Sequence, residues 1–378
     1  MSTPERPYRL RTIPGYASST PGIQIGTQLP ADASPEDMQF ARQLGVEWVM
    51  TAAPQESQFA LELGGSTPTS ESAGLSANAE GYRRIRERFE AQGLQVYRLA
   101  NHACHNMEAV TLNLEGRDAK VAEYLQYIRD LGAAGIRYAT YAHMGNGIWS
   151  SGRETIRGGA LSRALHLDDD PKGYWIQQRF EGEMTHGRAY SEQELWDNYA
   201  HFIRQVVPVA EEAGVYIGIH PDDPPVYTLG GVPRSIFGTF EGYQRALEIA
   251  DSPNIGVCLC VGCWLEGGVA MGADVLQAIR AFGEANKLFK VHLRNITAPL
   301  PEGFAETYLD AGYADMFKVV DALRAVDFDG AVISDHLQQM VGGRHAAEAF
   351  AVGYIKALIR AANNVHGESE GLGKPAGL

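Results

Sequence analysis

Eight short runs rich in β-branched and apolar residues, alternating with longer amphipathic stretches, limit what this chain can fold into more than any other feature. The runs are Ile23–Thr27, Val46–Thr51, Leu94–Leu99, Ile136–Tyr141, Val215–His220, Ile255–Cys260, Phe289–Leu293 and Ala331–Asp335. Between and after them, Glu80–Gln92, Ala119–Leu131, Glu192–Ala213, Val275–Ala285, Met316–Val326 and Ala346–Ala362 read as helices. Strands joined by helical crossovers run parallel. Eight such units predict a closed (β/α)8 TIM barrel, of the α/β class, in preference to an open doubly wound sheet. No Gly-x-Gly-x-x-Gly follows the first run, which weighs against a dinucleotide fold. Gly93, Gly135, Gly214 and Gly330 stand just before strands, where helix ends and the turns after them favour φ > 0.

A 378-residue chain is long enough for two domains at ~150 residues each, but barrels of ~250 residues and more form one unit. The expected organisation is an N-terminal extension (1–20), one barrel domain (21–363) and a flexible tail (364–378), Gly-rich from Gly367 to Leu378. Met144–Tyr190, a polar stretch containing Gly and Trp149, interrupts the fourth unit and reads as a lid over the barrel mouth.

The formal net charge is −14 without any cluster of Lys and Arg, which excludes nucleic acid and acidic membrane as natural partners. No run approaches the ~18 apolar residues of a membrane span. MSTPERPYRLRTIPGY carries charges and prolines where a signal peptide needs an apolar run, so a cytoplasmic location is expected. In that setting Cys104, Cys258, Cys260 and Cys263 read as free thiols or metal ligands rather than a disulfide framework.

Barrel active sites form where strands end at the C-terminal face. Four consecutive runs close on metal-ligand types: His220 in GIHPDDPP, Cys260 in VCLCVGC, His292 in KVHLRN and Asp335 in ISDH. They stand 40, 32 and 43 residues apart, about one βα unit each. Any one of them alone reads more readily as a structural side chain; four together on one rim point to a metal site. Cys258 shares a face with Cys260 but sits ~6.6 Å deeper at ~3.3 Å per residue, so it should pack inside the barrel. Cys263 falls past the strand, in a loop near the site. Cys258-x-Cys260-x-x-Cys263 has no second Cys/His pair nearby, which argues against a zinc knuckle.

HPDDPP, the Cys-x-Gly after the sixth strand, HLRN and the Asp-His pair together make the chain similar to the mannonate dehydratase family of the xylose-isomerase-like barrels. LGAAGIRYATY, Arg117-Asp118, GFAET and the ADMF helix start extend the likeness over roughly residues 80–360. The resemblance implies that His220, Cys260, His292 and Asp335 bind Mn2+, with His336 as a catalytic acid/base. The donor set itself would equally suit Fe2+, Co2+ or Zn2+. The chain departs from the family pattern at Cys260-Val261-Gly262-Cys263, where Cys-Thr-Gly-Ser is usual, and at Asp335-His336-Leu337, where Asp-His-Gly is usual. The following loop, which carries a catalytic Tyr in the family, is shortened to VGGRHAAEAF; Tyr354 lies in the last helix and matches another position.

Dehydration of a sugar acid removes the proton α to the carboxylate and expels the β-hydroxyl, so it needs charge stabilisation and two proton transfers. His336 is the candidate for one transfer. Adjacent strand residues point to opposite faces, so it reaches the site only if the strand ends or bulges at Asp335; otherwise it faces outward. Arg294 either clamps a carboxylate or serves as a salt-bridge partner. Asp222 and Asp223 either orient His220 or bind substrate hydroxyls, or they form the turn that Pro221, Pro224 and Pro225 stiffen. His102, His105 and His143 end the third and fourth units and read as exposed or supporting side chains. The expected function is a metal-dependent lyase converting an aldonic acid such as D-mannonate to a 2-keto-3-deoxy acid. The alternatives are a sugar isomerase or epimerase on the same fold, or a catalytically silent metal- or sugar-binding barrel. A small sugar acid as partner and a homo-oligomer, dimer or higher, complete the expectation.

Overall fold

The computed structural model describes residues 8–10, 13–53, 76–105, 107–175 and 178–366. Eight parallel strands close into a barrel: β1 (Gln24–Gln28), β2 (Trp48–Ala52), β3 (Gln95–Ala100), β4 (Tyr138–Ala142), β5 (Tyr216–His220), β6 (Ile255–Cys260), β7 (Leu288–Leu293) and β8 (Ala331–Ser334). Closure is the pairing of β8 with β1, Ala331 against Gln24 and Val332 against Ile25. Every residue of β6 and β7 is buried. That is the pattern of strands covered on both faces, by helices outside and side chains inside.

The covering helices are α1 (Pro35–Gln43), α2 (Ala79–Glu90), α3 (Arg117–Ala133), α4 (Glu192–Ala213), α5 (Phe240–Ala250), α6 (Val275–Glu284), α7 (Met316–Ala325) and α8 (Gly343–Val365). Capping boxes start α1 at Ser34–Asp37, α4 at Ser191–Glu194 and α6 at Asp274–Gln277. Gly214 ends α4 in the left-handed region, as expected. Gly330 does not share that role. Asp327 takes the positive φ after α7, and Gly330 is needed because a Cβ there would lie 2.6 Å from the Phe289 carbonyl oxygen.

Two register irregularities decide what fills the barrel floor. Val49 and Met50 pair with Val96 and Arg98, and Val257 and Cys258 pair with Leu288 and Lys290. Tyr97 and Phe289 are thus left out of the ladder, and both join Trp48, Met50, Tyr138 and Ile333 in one buried cluster. Leu10, Ile13 and Tyr16, from the segment before β1, complete that cluster.

The 144–190 insertion is built of antiparallel strands rather than an open polar loop. Ile148–Ser150, Lys172–Trp175 and Gln178–Phe180 form one sheet. Gly152–Thr155 and Leu161–Leu165 join Asn295–Ile296 and Phe304–Thr307, from the loop after β7, in another. Leu165 pairs with Phe304 and Ala164 with Ala305, which ties the insertion to the rim. The expected loop VGGRHAAEAF is mostly the first turns of α8, held to α1 by His345 and Asp37 at 2.9 Å. The Gly-rich tail 367–378 lies outside the described residues. No helix among the described residues is long and apolar enough to cross a membrane.

Candidate functional site

Strand geometry brings the four rim residues together. His220 and Cys260 are the last residues of β5 and β6, and His292 is the penultimate residue of β7. Asp335 follows β8 directly. Nδ1 of His292 lies 3.0 Å from Oδ1 of Asp335, and Sγ of Cys260 lies 3.7 Å from Oδ2 of the same carboxylate. The His220 and His292 rings are 5.0 Å apart. Nδ1 of His220 donates to the Pro221 carbonyl at 2.7 Å, which orients the ring and frees Nε2. The Pro221 backbone therefore makes the orienting bond that Asp222 or Asp223 was expected to supply.

Burial opposes charge on this ring, yet its members charge one another. A hydrogen bond from the Cys263 thiol and the Arg294 guanidinium outweigh burial and hold the Cys260 thiol well below its usual range. Against the same cost of burial, the Asp335 charge pushes His292 well up, while the charges of His292 and His336 hold Asp335 well down.

A divalent metal ion fits this donor set of two imidazoles, a thiolate and a carboxylate. Bonds of ~2.0–2.3 Å place tetrahedral ligand atoms ~3.3–3.8 Å apart, and the 3.0 and 3.7 Å contacts bracket much of that range. Nδ1 of His292 is buried, and although close to Asp335 it is not aligned to hydrogen-bond it. A buried ring nitrogen without a hydrogen-bond partner calls for an explanation, and a metal ion that displaced its proton would supply one. Cys263 also approaches, its Sγ within 4.8 Å of ligand atoms on His220 and Cys260. It lies in a short helix, Val261–Gly267, rather than in a loop. Cys258 sits deeper as expected, but its Sγ faces Nε2 of His292 at 3.6 Å, so it is more than packing.

Beside the ring lies a buried ion cluster. Arg294, 1% exposed, reaches Asp223 at 3.1 Å, Glu266 at 3.0 Å and Glu306 at 3.0 Å. Arg163, from the insertion, meets the same three carboxylates at 2.5, 2.9 and 3.0 Å. Of the two roles open to Arg294, the structure shows the salt-bridge partner, its fork already filled by protein carboxylates. Gly262 lets it pass, since a Cβ there would overlap the guanidinium side chain. Burial first, then the nearby Asp223 charge, raises Glu266 to about 8. Burial raises Asp222 to about 7 against the pull of Arg234.

His336 stands between cluster and ring. Strand β8 ends at Ser334, so Asp335 and His336 lie past the pleat and both turn to the rim. Nδ1 of His336 binds Oε1 of Glu306 at 2.7 Å, and Nε2 lies 3.7 Å from Asp335. Although burial opposes it, the Glu306 and Asp335 charges raise His336 to about 9. The other histidines do not gather here. His143 is buried against Tyr141, Tyr199 and Phe237. His105 bonds the Thr140 carbonyl and stacks on Trp175, and the His102 side chain is outside what the structure describes. Arg163, Glu266 and Glu306 escaped the reading of the sequence as site residues. The available signal was a charged residue inside an apolar run, as in CWLEGG and GFAET.

The comparisons with known proteins bear on the family and the fold. The family model of D-mannonate dehydratase (UxuA) matches residues 72–368. A mannonate dehydratase of Streptococcus suis (strain 05ZYH33) is 31% identical over 293 residues, covering 72% of this chain and 78% of the relative. One from Streptococcus agalactiae serotype V is 29% identical over 281 residues, covering 70% and 79%. The crystal structure of mannonate dehydratase from Streptococcus suis serotype 2 superposes with a TM-score of 0.76 at 26% identity, over 95% of this chain and 99% of that one. These matches do not favour the isomerase or epimerase alternative. With the match running from before α2 to beyond α8, the chain belongs to the D-mannonate dehydratase family, a family of hydro-lyases.

Proposed function

We propose that this protein dehydrates D-mannonate, or an aldonic acid of the same configuration, to the 2-keto-3-deoxy acid. His220, Cys260, His292 and Asp335 would hold one divalent ion, Mn2+ ahead of Fe2+, Co2+ or Zn2+. Such an ion supplies Lewis-acid stabilisation of the negative charge that builds on the substrate carboxylate as the C2 proton leaves. His336 holds a proton at neutral pH and delivers it from Nε2 to the departing C3 hydroxyl. Glu306 fixes that imidazolium by its bond to Nδ1 and keeps it charged. Arg294 is a positioning residue that spans Asp223, Glu266 and Glu306, and Asp222 sits buried near His220 as a charge rather than as its orienting bond. The insertion, tied to the rim through Arg163, excludes water from the reacting carbons.

The observation that carries this reading is the place of His336, an acid held within 3.7 Å of the proposed ligand Asp335. His336→Asn should keep its metal and lose ~10²–10⁴-fold in kcat, the usual worth of a general acid. An acid must be protonated to act, so wild-type activity should fall as pH rises through about 9, and that limb should vanish in the mutant. Formation of 2-keto-3-deoxy acid from a panel of aldonates, with metal content measured alongside, is the assay. Full turnover by metal-replete His336→Asn would remove the acid role, and no product from any aldonate would remove the substrate class.

A further inference from the structure

We infer that Cys260 and Cys263 form a reversible disulfide when the protein meets hydrogen peroxide, and that this withdraws Cys260 from the ring of donors. All four cysteines are free and buried. Cys260 ends β6 and Cys263 is the third residue of the helix that follows. Two intervening residues at a strand-to-helix turn are the spacing of dithiol redox motifs. The Cys263 N–H already donates to Sγ of Cys260 at 3.4 Å, and the two sulfurs lie within 4.8 Å. Closing to the ~2.0 Å of a disulfide needs side-chain rotation and a small shift of the helix start. Cys258 is the rival partner. Residues two apart on one strand are ~6.6 Å apart along it, and the Cys258 sulfur is turned to His292 instead.

Burial selects the oxidant. Both sulfurs are fully covered, so a protein thiol–disulfide oxidoreductase cannot reach them, whereas peroxide and dithiothreitol are no larger than the sugar acid proposed to reach this rim and would follow the same path. The Cys260 thiolate attacks one peroxide oxygen and the O–O bond breaks. The departing hydroxide takes a proton and leaves as water, and the sulfur becomes a sulfenic acid. The Cys263 sulfur then gives up its proton and attacks the Cys260 sulfur. The S–S bond forms, the S–O bond breaks, and hydroxide leaves with that proton as a second water. Two thiols are oxidised and one peroxide is reduced. The effect on metal binding rests on the proposed ligand set; the disulfide does not.

The test treats full-length protein with peroxide, after chelation and after Mn2+ loading. The chelated wild type should become lighter by two hydrogens and keep two of its four thiols, with dithiothreitol restoring it. Cys258, Cys260 and Cys263 share the tryptic peptide 246–280, so alkylating with one reagent before reduction and another after it identifies the bonded pair. Oxidised protein should bind Mn2+ at least ~10-fold more weakly than reduced protein, and Mn2+ loading should slow the reaction. Cys258→Ser should oxidise like the wild type, while Cys263→Ser should gain oxygen on Cys260 instead of losing hydrogens. A bond joining Cys258, or a wild type that gains oxygen or does not change mass, overturns the proposal on the wild-type protein alone. Reduced protein that forms the disulfide yet never binds Mn2+ would count against the ligand set and not against the disulfide.

Discussion

Cys258 and Cys260 are chemically identical, share one face of one strand, and differ in what their sulfurs meet. Cys260 faces Asp335 and the N–H of Cys263, whereas Cys258 faces the far nitrogen of His292. Cys260→Ser should therefore weaken metal binding by more than ~100-fold, because it replaces a ligand sulfur with a harder, poorer donor. Cys258→Ser should cost ~10–100-fold, the scale of losing a group that orients a ligand, along with some stability. Isothermal titration of chelated protein with Mn2+ checks the order, and a reversed order would refute the ligand assignment. His143 illustrates a different residue-scale effect. Burial among aromatic rings lowers it to about 3 from 6.5. Between those values the unfolded chain takes up a proton that the folded one refuses. Its stabilising contribution is thus complete above about 6.5 and drains away as pH falls toward about 3. The full loss is on the order of 5 kcal/mol. Urea unfolding across that range should show a shallower pH slope for His143→Gln; an unchanged slope would clear His143 of this role.

At the scale of elements, the ends of strands carry the chemistry and their irregularities carry the packing. The rim residues were legible because a strand end is marked in sequence by the last residue of an apolar run, and β6 runs from Ile255 to Cys260 as read. The insertion was not legible as structure. Its strands are short and pair with Phe304–Thr307, more than a hundred residues away, so no local period announces them. Arg163 is the consequence: an arginine of the strand Leu161–Leu165 that becomes a buried partner of Asp223, Glu266 and Glu306. Arg163→Gln would leave Asp223, Glu266 and Glu306 sharing Arg294, with His336 beside Glu306 and Glu266 already raised to about 8. Breaking a buried pair in this way costs ~3–5 kcal/mol. The loss should appear as lower stability and faster proteolytic cutting between 144 and 190. Cutting at the wild-type rate would show that the insertion is held by its strand pairing instead.

For the whole molecule, the barrel is closed at one end by rings and open at the other to donors. Tyr16 stacks on Tyr97 at 5.3 Å and meets Trp48 edge-on at 5.1 Å, and its hydroxyl donates to the Tyr97 carbonyl at 2.7 Å. The segment before β1 is therefore part of the core, and Tyr16→Ala should cost ~3–5 kcal/mol in urea unfolding, as for other large aromatic truncations. A cost below ~1 kcal/mol would mean that the floor seals without it. The sequence by itself determined the eight βα units, their order and the four donor types at consecutive strand ends. Those follow from hydrophobic period and chain direction, which are local properties. It also carried the motifs of the family. Only the tertiary structure decided which way a side chain turns once its strand has ended, as with His336 beside Asp335. Only it brought Arg163, Glu266 and Glu306 to one buried point, and placed Cys263 within reach of Cys260. The reason is that burial and electrostatics act through space, between groups far apart in the chain. A charge in an apolar run shows that a partner must exist, and the fold alone says which one.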